Sequence, residues 1–289
     1  MQKKTKVRDY FSLIAFNHTL FALPFAIIGY FLGLKAERMG FDIIKLLFVL
    51  LCMIFARSAA MAFNRYIDRE IDKTNPRTAT REIPSGIISG TNALIFTIIS
   101  CAGFMITTFF INKICLFLSP IALSVILGYS FTKRFTALCH LILGLGLSLA
   151  PIGAYLAVTG RFDIQPILFS LSVLCWVGGF DIIYALQDEN FDKEHGLFSI
   201  PSKIGAKNSL LVSTLLHIIV AALLITEGVY TSFGIIYWIG VGIFSLLLIY
   251  QHSIIGPTNL KKVNRAFFTT NGVGSVVFAV FVITELLLG

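Results

Sequence analysis

Residues 42–72 read DIIKLLFVLLCMIFARSAAMAFNRYIDREID, and the two parts of this stretch obey different rules. Residues 42–63 are almost wholly apolar and, at 1.5 Å per residue, long enough to cross the hydrocarbon of a bilayer as a helix. Residues 64–72 then carry Asn64, Arg65, Asp68, Arg69, Glu70 and Asp72. A membrane span that ends in carboxylates delivers them to the edge of the bilayer.

Working outward, eight more apolar stretches appear, at roughly 11–34, 92–111, 114–131, 137–158, 164–187, 209–228, 231–250 and 266–288. The first is too long, and lacks the small-residue cleavage pattern, to read as a signal peptide. Only 13% of the 289 residues are charged against 56% hydrophobic. A soluble domain carries about 25% charged residues, so most of this surface does not face water. The expectation is an all-α, polytopic membrane protein. It is one bundle of about nine transmembrane helices, a single membrane-embedded domain over 1–289 with no soluble domain.

The net charge of +8 is distributed as a membrane protein distributes it, and no nucleic acid partner is implied. With nine spans, the N-terminus and the loops after spans two, four, six and eight share one side. That side holds 17 of the 23 Lys and Arg, including Lys3, Lys4, Lys6, Arg8, Arg69, Lys73, Lys261 and Lys262. The other side holds Lys35, Arg38, Lys45, Lys113 and Arg161, and Arg57 lies within a span. Cytoplasmic loops carry the Lys/Arg excess, so the rich side is cytoplasmic and the protein belongs in the cell's inner membrane. The five cysteines sit in apolar spans without a CxxC pair, and read as small buried hydrophobes.

Two acidic clusters fall on the cytoplasmic side. In the first, Asn64, Asp68 and Asp72 are spaced i, i+4, i+8 and project from one helix face. Oxygen ligands stacked at a helix end suit magnesium, which is held by one or two carboxylates plus substrate phosphates. In the second, Asp181, Asp188 and Asp192 are spaced i, i+7, i+11, again one face of a continuous helix. Asp181 and Tyr184 lie inside the apolar span, where an ionisable group marks function by default. Two acidic faces on one side of a bundle can hold two cations about a diphosphate. Cations and donors for that anion are Lys133, Arg134, Arg77, Arg81 and Lys203, with Tyr129 ending the fourth span beside them. Arg57, one to two turns before Asn64, can grip a phosphate or a carboxylate with its two-pronged guanidinium. The acids are expected at a wet surface, where their removal costs the bundle little. The loops after spans two and six, each carrying acids four residues apart and ending at Pro84 or Pro201, look like distant copies of one another.

The run from Arg57 through Asn64–Asp72, then Arg77-Thr78 and Pro84-Ser85-Gly86, resembles the first signature of the UbiA family of membrane prenyltransferases. Tyr129–Lys133 and the Asp181, Tyr184, Asp188, Asp192 segment are similar to its other signatures. The ending Arg265-Ala266-Phe267-Phe268-Thr269-Thr270-Asn271 looks like its 4-hydroxybenzoate polyprenyltransferase branch. Many members have Asp directly after the motif Asn, where this chain has Arg65. The resemblance implies a cytoplasmic-side cleft in which Asn64, Asp68, Asp72, Asp188 and Asp192 bind Mg2+. Asp68, Asp72, Asp188, Asp192 and Lys133 would be the catalytic set. A polyprenyl diphosphate would be bound with its tail in a groove open to the lipid bilayer. The acceptor would be an aromatic carboxylic acid, 4-hydroxybenzoate ahead of a dihydroxynaphthoate. Ionisation would leave an allylic cation for the ring to attack. The 27 Phe residues fit a tail groove, though most serve lipid contact and packing.

A transporter is the competing class, since Asp181 and Arg57 in the membrane also fit ion coupling. The acids cluster at the membrane edge, however, and not at the midplane. His18, His140 and His217 read as helix-packing residues, Pro24 and Pro151 as tolerated helix prolines, and Gly144, Gly146, Gly178 and Gly179 as sites of close helix contact. The charge asymmetry makes a direct prediction. Single cysteines introduced near residue 75 and near residue 161 should react with an impermeant label from opposite faces. Labelling near residue 75 from outside intact cells would overturn the topology.

Overall fold

The computed structural model describes residues 7–14 and 19–289, so the expectation for His18 lies outside the described residues. The long helices are α2 (Thr19–Ala36), α3 (Ile43–Ile67), α5 (Gly90–Ile111), α6 (Lys113–Thr132), α7 (Cys139–Thr159), α8 (Ile164–Ala185), α10 (Ile200–Tyr230), α11 (Ile235–Ser253) and α12 (Asn271–Leu288). A π-turn, Arg265–Thr270, leads into the last of them. Three short helices join the set: α1 (Val7–Leu13), α4 (Arg69–Thr74) and α9 (Glu189–Glu194). Eight of the long helices are long and apolar enough to cross a membrane, and α2 adds the shorter apolar stretch Phe21–Ala36. The protein is a multi-pass membrane protein built as an all-helical bundle.

Helix ends are fixed by side chains that the sequence supplies at the caps. Asp42 accepts from the amides of Ile44 and Lys45 at the start of α3, Asn112 from Cys115 at α6, and Asp163 from Ile164 at α8. Each satisfies amides that a helix start leaves without partners. Ser199 and Ser202 form a reciprocal capping box at α10, with Pro201 in the first turn.

Two boundaries differ from the sequence reading. The span expected from residue 11 is described as two elements, α1 and α2, and α1 packs Tyr10 and Leu13 against Ala62, Ile88 and Ala93. The span expected at 209–228 begins earlier, at Ile200. It breaks at Gly205, whose φ of 76° lies in the left-handed region that favours glycine.

Packing divides the bundle into two rings that share α2 and α7. In one ring α8, α10, α11 and α12 close around an aromatic core of Phe25, Phe169, Trp176, Tyr237, Phe244 and Phe278. In the other, α3, α5, α6 and α7 surround a cavity of about 390 Å³. Outside both rings large side chains such as Phe109, Phe117, Ile121 and Ile235 are exposed, as a surface solvated by lipid requires.

The shared wall depends on close approach. A Cβ built on Gly29 of α2 would lie 2.0 Å from the Pro151 carbonyl oxygen of α7. One on Gly144 would lie 2.4 Å from the Leu174 carbonyl oxygen of α8. Backbone cannot yield as a side-chain tip can. Gly29→Val should therefore separate α2 from α7 and cost about 1–3 kcal/mol, as overpacking does. Thermal unfolding in detergent reads this as a clearly lowered midpoint, and an unchanged midpoint would show that α2 and α7 do not pack this closely.

Candidate active site

Asp68 stands where α3 gives way to α4, and only 2% of it is exposed. Its carboxylate is met by Lys133 Nζ at 2.7 Å, Arg134 Nη2 at 3.0 Å and Asn64 Nδ2 at 3.1 Å. Arg134 also donates to the carbonyls of Ser130 and Ile67, which pins the end of α6 to the end of α3. One turn on, Asp72 is 3% exposed and receives Arg81 Nη1 at 2.7 Å on Oδ1, while its buried Oδ2 has no partner among the described residues. The α3–α4 junction keeps helical hydrogen bonding, with Asp68 N–H donating to Asn64 O and Asp72 N–H to Asp68 O. The i, i+4, i+8 stack thus survives the change of element.

The second cluster is not one helix face. α8 ends at Ala185, a tight turn covers Leu186–Asp188, and α9 starts afresh. Asp181 is thereby separated from the other two acids. Its Oδ2 lies 2.7 Å from His140 Nδ1, and the Ile200 amide donates to His140 Nε2 at 3.3 Å. An Nε2 that accepts leaves the proton on Nδ1, so His140 donates to Asp181 and ties α7, α8 and α10 together. The packing role read for His140 missed this bond. The available signal was a histidine and an aspartate in neighbouring apolar spans.

Asp188 turns instead toward the first loop. Arg77 grips it with Nε at 3.0 Å on Oδ1 and Nη2 on Oδ2, and Asn75 Nδ2 donates at 3.1 Å. Burial works against the Arg77 charge, but the hydrogen bonds to Asp188 and its charge outweigh it and hold the guanidinium above its usual pKa. Arg77 also donates to Tyr184 OH at 3.1 Å and lies over its ring. The π-turn stacks Phe267 on that ring as well, at 4.1 Å between centroids. Asn271 holds the turn by donating to the Ala266 and Phe267 carbonyls and accepting from Trp176 Nε1. Nothing in the sequence pattern exposed this network beyond polar residues in an apolar span. Asp192 lies within reach of Ser199, with Lys133 and Asp188 nearby. The Phe198 amide donates to the Lys133 carbonyl at 2.7 Å, so the loops after α6 and α8 are joined directly.

The structure therefore brings Asn64, Asp68, Asp72, Arg77, Arg81, Lys133, Arg134, Tyr184, Asp188 and Asp192 to one end of the bundle. Lys203 is exposed over the Phe198 ring at 4.2 Å and makes no ion pair among the described residues. Arg57 and Tyr129 line the head of the cavity, whose remaining wall is Ala, Gly, Ile, Leu and similar side chains. Tyr129 is within electrostatic reach of both Asp68 and Asp181, so the cavity wall runs up to the acids. Ile121 and Phe162 line the cavity and are also exposed on the bundle surface, so it opens sideways.

Residues 22–273 match the model of the UbiA prenyltransferase family. The chain belongs to that family. It is 30% identical, over 84% of its length and 85% of the relative's, to the 4-hydroxybenzoate octaprenyltransferase of Francisella tularensis subsp. novicida (strain U112). A UbiA homolog from Aeropyrum pernix K1, solved without ligand, superposes with a TM-score of 0.83 at 30% identity, covering 93% of this chain and 98% of that one. A UbiA homolog from Archaeoglobus fulgidus, solved with GPP and Mg2+, shares the fold at a TM-score of 0.70 and 21% identity, over 97% of this chain and 100% of that one. As a UbiA-family prenyltransferase the protein is an enzyme, and the transporter reading falls.

Among the described residues no three His, Cys, Asp or Glu side chains gather closely enough to hold a metal by themselves. Asp68, Asp72 and Asp188 are each turned to a cation instead. The donor set nonetheless fits a hard divalent ion, being all oxygen and including the buried, unpartnered Asp72 Oδ2. Burial corrects the expectation of a wet surface for Asp68 and Asp72. Asp68→Asn would leave Lys133 and Arg134 facing a neutral amide, and should cost about 1–3 kcal/mol of stability. Asp192→Asn, with no ion pair to lose among the described residues, should leave the thermal midpoint close to wild type. Equal midpoints for the two variants would show that the Asp68 cluster contributes nothing to folding.

Proposed function

We propose that this enzyme transfers a polyprenyl group from a polyprenyl diphosphate to an aromatic carboxylic acid, 4-hydroxybenzoate in first place, with Mg2+ as its cofactor. The observation that carries the proposal is the junction of two unlike environments: an apolar, sideways-open cavity whose head abuts a cluster of paired acids and cations. A prenyl diphosphate has the same two parts, a hydrocarbon tail and a polyanionic head. The curated relatives act, by name, on 4-hydroxybenzoate, and the Archaeoglobus fulgidus homolog was solved with GPP and Mg2+.

Asn64, Asp68, Asp72, Asp188 and Asp192 are the residues to hold the metal, which neutralises the leaving diphosphate when bound. Lys133, Arg134, Arg77 and Arg81, each on a carboxylate in this state, are placed to donate to phosphate oxygens. Arg57 at the cavity head has the fork to take the acceptor carboxylate. The C1–O bond of the donor breaks, the aromatic ring carbon bonds to C1, and the ring loses a proton. Tyr129, on the cavity wall, offers an aromatic face where positive charge develops, and Tyr184 positions Arg77. His140 holds Asp181 in place from beneath. The lysine and arginine excess supports a cytoplasmic position for this face, in an inner membrane.

Purified protein in detergent, given a polyprenyl diphosphate and either 4-hydroxybenzoate or a dihydroxynaphthoate, tests the proposal by mass spectrometry of the product. Prenylated hydroxybenzoate is the expected result, abolished by EDTA and restored by Mg2+. Prenylated naphthoate alone would correct the acceptor, and product formation under full chelation would overturn the metal role.

A further inference from the structure

Arg65 follows Asn64 directly, where many members of the family carry Asp. The other basic residues around the acids are committed: Lys133 and Arg134 to Asp68, Arg81 to Asp72, Arg77 to Asp188. Arg65 makes no hydrogen bond and no ion pair among the described residues, although its side chain is largely covered and its Nε is buried without a partner. A buried donor left unsatisfied costs free energy until something accepts from it. Nearby, Asp72 Oδ2 is likewise buried and unpartnered, and the two groups do not meet each other. The charges around Arg65 include a second guanidinium, Arg81, together with Asp72 and Glu82.

We propose that Arg65 binds the diphosphate of the prenyl donor directly, a role that rests on the prenyltransferase reading above. Arg57, Met61 and Arg65 are spaced i, i+4, i+8 on α3, and the first two line the cavity. Arg65 is therefore about 12 Å further along the helix than Arg57, level with the acids rather than with the tail. An acceptor carboxylate carries one charge and has Arg57 beside the cavity. A diphosphate carries several, and answers two guanidiniums that otherwise repel each other. The unpartnered Asp72 oxygen is the matching place for the anion's own counter-cation. A guanidinium at this position reaches phosphate unaided, with no metal between them.

The experiment compares wild type, Arg65→Gln and Arg65→Lys in detergent with Mg2+. Calorimetric binding of a non-cleavable prenyl thiodiphosphate should weaken about 10- to 100-fold in Arg65→Gln, the loss of a charge-assisted hydrogen bond or two, and less in Arg65→Lys. The donor KM should rise in step while the acceptor KM stays put. The ligand-free thermal midpoint should not fall, because no bond is lost. Unchanged thiodiphosphate affinity in Arg65→Gln overturns the role, as does an acceptor KM that moves in place of the donor's. A wild type that fails to bind the thiodiphosphate overturns the transferase reading as well, whereas wild-type binding matched by Arg65→Gln overturns this inference alone.

Discussion

A carboxylate at the end of a membrane helix has little water to share its charge, and the structure around Asp68 is a response to that fact. An ammonium, a guanidinium and an amide converge on it from α3 and the end of α6. Asp72 and Asp188 are answered in the same way by Arg81 and Arg77. These pairs serve as structural struts as well as charge balance. Arg134 joins α6 to α3, and Asn75 with Arg77 joins the loop after α3 to the loop after α8. The same charges that would bind a diphosphate and its metal thus hold the loops together in their absence. Binding at such a site is an exchange of partners, which costs far less than exposing new charge in a desolvated place.

The two rings of the bundle show how one helical architecture yields a filled half and an open half. Around α8, α10, α11 and α12 the interior is packed with aromatic rings, from Phe25 and Trp176 to Phe278. Around α3, α5, α6 and α7 the inward positions are Ala56, Ala60, Ala122, Gly146, Ala150 and Gly153, spaced at helical intervals. A Cβ on Gly153 would meet nothing within 4 Å, so the space is left by small side chains and not by splayed helices. The filled ring anchors the π-turn and, through Phe267, the Tyr184 ring under Arg77.

Much of this was legible in the sequence, for identifiable reasons. Spans are set by the length of apolar runs, and carboxylate spacing on a helix is set by its period, so the nine-helix bundle and the Asn64–Asp68–Asp72 stack were readable. The break after Ala185 was not, because Leu186 and Gln187 carry no turn chemistry and periodicity continues across a tight turn. Asp181 consequently belongs with His140 rather than with Asp188. The burial of Asp68 and Asp72 was hidden for another reason. It depends on Lys133, Arg134 and Arg81 arriving from later elements, which local pattern does not report. Gly205 shows the reverse case, a residue whose backbone angle matters and whose neighbours in sequence give no hint of a break.

The sideways opening of the cavity between residues such as Ile121 and Phe162 changes what concentration means for this protein. Its apolar chamber is in contact with hydrocarbon, so a long-tailed molecule enters from the two-dimensional solution of the bilayer and not from the aqueous phase. The governing quantity is then a mole fraction of lipid. Adding detergent or lipid at constant total amount of such a molecule dilutes it within the membrane phase and slows its arrival, even though the amount per litre is unchanged. Small water-soluble molecules meeting the charged end obey ordinary molarity. A single protein thereby samples two solvents at once, each with its own scale of abundance.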